Sequence, residues 1–144
     1  MSAPKWAALL TYAGTLPFIG VLVLLIFNVD LLGWHVRWHV VATTYGVVIV
    51  SFISGIHWGA YLFARQRPQI NLFVTSNVIT LLAFCSYLLF PYTIVYPVLI
   101  FCFVVLYILD VGMRRQGVYE GWFYNLRRNA TVIVVLSLLI LIFV

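Results

Sequence analysis

The chain has 144 residues, of which 65% are hydrophobic and 8% charged, with a formal net charge of +5. A soluble domain carries about a quarter charged residues, so this composition excludes an ordinary water-soluble globule and points to a membrane protein. The positive residues border apolar runs, so the basic balance indicates anionic headgroups as neighbours and not nucleic acid.

A bilayer core about 30 Å thick needs about 20 apolar residues per crossing helix. Five such runs occur in chain order, at about 7–27, 41–63, 69–90, 93–111 and 126–144. The expected fold is therefore all-α: a polytopic membrane protein with five transmembrane helices, forming a single membrane domain over residues 1–144.

The first run follows Lys5 and is too long for the apolar region of a signal peptide, with no small-residue cleavage site after it, so it reads as a retained helix. It begins too near the start of the chain for an organelle transit peptide, which makes a bacterial cytoplasmic (inner) membrane the expected location. Within YAGTLPFIG, Pro17 has no N–H to offer the carbonyl of Ala13, so a kink is expected there.

In the following GWHVRWHVV segment, Trp34 and Trp38, and likewise His35 and His39, repeat at i, i+4 and would share a face on a short helix. The pattern fits aromatic anchors on the outer membrane surface. It also admits a two-histidine metal site, which would need further ligands, with Asp30 the only acidic residue nearby.

The second run contains SFISGIHWGAYLF (51–63). Ser51, Gly55 and Gly59 recur every four residues and form a small-residue ridge that permits close helix packing, within one chain or between two. His57 is about 200° around the helix from either glycine and shares its face with Thr43, Gly46, Val50, Ser54 and Tyr61; Trp58 is its immediate neighbour. Such a helix should be central in the bundle.

Helical rise places His57 about 10 Å from the end of its helix, with Asn77, Tyr107 and Tyr12 at similar depth on other helices. Together with the shallower Asp110, these residues would make a polar layer in one half of the bundle. Ionisable groups in hydrocarbon face the bundle interior and find partners. Two roles stay open for His57: a neutral hydrogen-bonding residue that sets packing, or a residue that binds a ligand or changes charge near neutral pH. Asp110 has Arg114 four residues on, which predicts an i, i+4 ion pair, although Asp110 could instead orient the inner layer. Cys85 and Cys102 lie in apolar runs and read as packing thiols.

Before the last run, EGWFYNLRRN combines Trp122, Phe123, Tyr124 and Leu126 with Arg127 and Arg128, the pattern of a helix lying in the interface. If the N-terminus is cytoplasmic, Lys5, Arg65, Arg67, Arg114, Arg115, Arg127 and Arg128 all fall inside and Arg37 alone outside. Positive charge concentrates on the cytoplasmic side of membrane proteins, so N-in/C-out is expected.

Nucleophile elbows, HExxH, phosphate loops and metal-binding cysteine spacings are absent. His39 and His57 are about 27 Å apart along one helix, too far for a haem-ligand pair within the chain. A dimer could still supply two copies of His57, so any cofactor stays unknown, and the motifs point away from an enzyme.

YAGTLPF (12–18), YGVVIVSFISGIHWG (45–59) and WFYNLRRN (122–129), with Asp110 between them, resemble the family of small membrane proteins known as domain of unknown function 3429, related to mitochondrial transmembrane protein 69. The resemblance implies a five-helix inner-membrane protein. Its most specific element is the core of Ser51, Phe52, Ser54, Gly55, His57, Trp58 and Gly59. It transfers no activity.

The preferred functional expectation is a non-enzymatic bundle that binds a lipid, a quinone or a partner subunit through the polar layer around His57. A second copy or another membrane protein is the expected partner of the ridge. The alternative is a small transporter or proton-coupled element with His57 as the titrating group, although five helices do not divide into the paired halves common in transporters.

Overall fold

The structure, a computed structural model, describes residues 2–28, 37–64 and 69–144; Asp30, Trp34, His35, Arg65 and Arg67 lie outside them. The described residues form six α-helices and no strand: α1 Ala3–Ala13, α2 Leu16–Ile26, α3 Trp38–Phe63, α4 Leu72–Leu89, α5 Tyr92–Arg115 and α6 Gly121–Leu141. α1 and α2 together supply one span, Pro4–Ile26, so five segments are long and apolar enough to cross a membrane. The molecule is a multi-pass helical bundle.

The interruption between α1 and α2 has a local cause. Pro17 stands in the first turn of α2 and cannot donate to the Ala13 carbonyl. The chain turns at Gly14–Thr15, where Gly14 N donates to Leu10 O at 2.9 Å and the Thr15 hydroxyl donates to Tyr12 O at 2.8 Å. The expected kink is thus a two-residue interruption of the helix at Gly14–Thr15.

α3 packs on α2, α4 and α5, while α5 packs on α3, α4 and α6. Their shared core includes Val50, Tyr96, Leu99, Phe103 and Leu106, all almost wholly removed from the surface. Phe18 joins it from α2, edge-on to Phe103 with ring centres 6.2 Å apart. Outward-facing Phe52, Leu62, Val74, Leu81, Ile108 and Leu136 are exposed, which suits side chains whose solvent is lipid.

The closest helix approach differs from the small-residue ridge. A Cβ at Gly46 would lie 2.6 Å from Leu99 Cδ1, whereas one at Gly55 or Gly59 would meet nothing within 4 Å. The buried face of α3 is Ala42, Thr43, Gly46, Val50, Ile53, Ser54 and His57, so the face bearing His57 is the packing face. Within the chain the ridge makes no close helix contact, and Ser51 bonds back to Val47 O at 2.9 Å. Spacing licenses a close approach; the bulk of Leu99 opposite Gly46 decides where it occurs.

α5 and α6 are joined by a tight reversal. Gly117 adopts φ +73°, a left-handed conformation that favours glycine. Val118 N then donates to Met113 O at 2.9 Å and Gly117 N to Arg114 O at 3.1 Å, capping the last carbonyls of α5. α6 starts at Gly121, not near 126, so the expected interfacial segment forms the first turns of the crossing helix itself.

Candidate functional site

Three helices deliver one ionisable side chain each to the interior. His57 of α3 and Asp110 of α5 are fully buried and Arg127 of α6 is 7% exposed. His57 Nε2 lies 2.9 Å from Asp110 Oδ1. Arg127 Nε and Nη2 reach Asp110 Oδ2 at 3.1 and 3.0 Å. The cluster sits five or six residues inside the ends of its helices, roughly 8–9 Å of rise from the basic end of the bundle.

The partners define the chemistry. Arginine stays charged in proteins, and an ionised carboxylate only accepts, so His57 Nε2 carries the proton it shares with Asp110. One carboxylate therefore accepts from His57 Nε2 and Arg127 Nε, with Arg127 Nη2 in ion-pair contact beside them. Such a pair loses hydration on burial and persists when each charge has its partner and its hydrogen bonds.

Three polar atoms beside this network are buried without a protein partner: His57 Nδ1, Ser54 Oγ and the Tyr119 hydroxyl. Tyr119 lies in the α5–α6 connection, where its backbone carbonyl accepts from Arg114 Nη1 at 3.2 Å. Burial raises its hydroxyl above the ordinary phenol range, the Asp110 carboxylate adds to the rise, and Arg127 opposes it.

A crevice of about 110 Å³ runs between the α1–α2 segment, α3, α5 and α6. Leu10, Ile49, Phe52, Ile53, Phe103 and Phe123 line it with Thr11, Thr15 and Thr131, and Arg127 is its charged wall residue. A shallower groove of about 330 Å³ lies between the starts of α1 and α6, with Lys5, Tyr12, Trp122, Asn125 and Asn129 along it.

The structure thus brings His57 and Asp110 together, buries Ser54 one turn along the same face of α3, and disperses the other expected members of the layer. Asn77 is exposed on α4 and donates to Phe73 O at 2.8 Å; the buried polar residue beside it is Ser76. Equal depth was shared, but the facing direction was not. Tyr12 is exposed and accepts from Asn129 Nδ2 at 3.3 Å. Tyr107 pairs with Tyr124, hydroxyl to hydroxyl, at 2.7 Å. Tyr61 and the exposed Trp58 both pack edge-on against Phe73.

Asp110 turns inward to His57 and Arg127, and Arg114 instead holds the Tyr119 carbonyl. Arg127 is correspondingly turned into the bundle. Its signal lay in helical spacing: Phe123, Arg127, Ala130, Thr131, Val134, Leu138 and Leu141 follow one face of α6, and all but the half-buried Phe123 are buried. Arg128 is exposed and donates to Asn129 Oδ1 at 3.4 Å. Trp122 is exposed and bonds the Glu120 carboxylate, while Trp38 is half-buried against the core.

His39 stacks on Tyr92 with ring centres 4.2 Å apart, and its Nδ1 lies 3.0 Å from the Tyr96 hydroxyl. Among the described residues no group of three His, Cys, Asp or Glu could hold a metal ion. Cys102 is buried and Cys85 is exposed on α4.

The family described as "Protein of unknown function (DUF3429)" matches residues 3–143. No curated protein and no solved structure matches the chain.

Proposed function

The chain belongs to the DUF3429 family, and we propose that this membrane bundle is a non-enzymatic binding protein that takes up a membrane component, such as a lipid, a quinone or a partner subunit, at the His57–Asp110–Arg127 cluster. One observation carries the reading: Arg127 commits Nε and Nη2 to Asp110 and also forms the wall of the crevice. A guanidinium has five N–H donors, so donors are left for an oxygen-bearing occupant. Apolar pockets with a few convergent polar groups are the usual form of small-molecule sites.

The test is extraction of the purified protein and identification of co-purifying molecules by mass spectrometry. One species near one per chain is expected for the parent protein, and it should be lost from Thr11→Phe, which fills the crevice. A parent protein carrying only bulk membrane lipid in bulk proportions would defeat the reading.

The proposed setting is a bacterial cytoplasmic membrane in N-in/C-out orientation. Lys5 and Trp122 share the shallow groove at the end of the bundle where Arg114 and Arg115 close α5, which supports anionic headgroups as neighbours there. A proton-coupled role draws on the unpartnered Nδ1 of His57. That alternative requires proton flux into liposomes that ceases in His57→Gln.

A further inference from the structure

Resting on the binding reading above, we infer that the crevice occupant is a neutral ring molecule bearing a carbonyl oxygen on an apolar tail, of the quinone type, and not an anionic phospholipid.

Charge is the first ground. Arg127 and Asp110 cancel each other across 3.0 Å, so the guanidinium already has its counter-charge inside the protein. That pair sums to zero. An anion at the free guanidinium edge would leave an uncompensated negative charge in a low-dielectric interior. A neutral carbonyl accepts an N–H from Arg127 and leaves the sum unchanged.

Size and lining supply the second ground. The crevice, about 110 Å³, has room for no more than one six-membered ring, since the apolar protein cavity that holds benzene is larger, about 150 Å³. Phe52, Phe103 and Phe123 all line it, and aromatic faces and edges pack against a planar ring. Leu10 and Phe52 on its rim are 65% and 67% exposed, so an apolar tail can leave the crevice toward lipid.

The full-length protein in detergent is titrated with decyl-benzoquinone or with phosphatidylglycerol, and bound molecules are counted by native mass spectrometry. Thr11→Phe and Thr131→Leu, each checked for parental helix content and monodispersity, are the crevice-filling controls. Saturable binding of one quinone per chain is expected, undisplaced by phosphatidylglycerol and weakened about tenfold or more in either control. Saturable phosphatidylglycerol binding without quinone binding overturns the ligand class and leaves the binding reading standing. Binding of neither overturns both, and quinone binding undiminished in both controls overturns the crevice as the site.

Discussion

Asp110 is the residue on which the cluster depends, because its two oxygens answer side chains from two other helices. Asp110→Asn leaves the Arg127 charge buried without a counter-charge and should destabilise the bundle by about 3–5 kcal/mol. His57→Gln keeps a side-chain N–H donor and should cost about 1 kcal/mol. Combining Asp110→Asn with Arg127→Met removes the orphaned charge and should recover much of the loss, which double-mutant comparison isolates. Reversible unfolding in mixed detergent micelles checks the order, and an Asp110→Asn no weaker than His57→Gln would sink this account. His57 and Asp110 were legible in the sequence because ionisable groups stand out in apolar runs. Arg127 was not, because a neighbouring arginine and asparagine gave it the look of a headgroup contact, and only its helical register marks it as inward-facing.

At the scale of the element, α3 shows that periodicity separates helix faces without naming what each face meets. Periodicity separates its two faces, Ser51–Gly55–Gly59 and Thr43–Gly46–Val50–Ser54–His57, but the size of the facing side chain determines which face requires glycine. Gly46→Ala forces a methyl against Leu99 and should destabilise by about 1–3 kcal/mol, with relief from Leu99→Val. Gly55→Ala should stay within about 0.5 kcal/mol of the parent in dilute detergent. Equal effects at the two glycines in thermal unfolding would contradict the packing described. Gly117→Ala strains the α5–α6 reversal and should cost about 1 kcal/mol or more, with the loss seen as weaker docking of α6.

For the whole molecule, the antiparallel bundle gathers Lys5, Arg114 and Arg115 at one end, with Arg128 exposed two turns into α6. The proposed N-in/C-out topology predicts that a reporter active only outside the cytoplasm works when fused after Val144 and fails when fused before Lys5. Neutralising Arg114, Arg115 and Arg128 together should yield mixed orientations in the same assay, since short-loop positive charge sets orientation. A C-terminal reporter inactive outside and active inside would reverse the assignment.

By itself, the sequence determined the class of the protein: five apolar runs, their order, a kink beside Pro17 and ionisable residues on two of the helices. These properties are local, because hydropathy and proline's missing N–H act through neighbouring residues along one chain. The tertiary structure alone decided that Asp110 turns to His57 and Arg127 instead of Arg114, that Asn77 faces outward, and that a crevice opens beside Arg127. Those outcomes depend on helix rotation and on the bulk of side chains meeting from different helices, quantities that no single helical repeat contains.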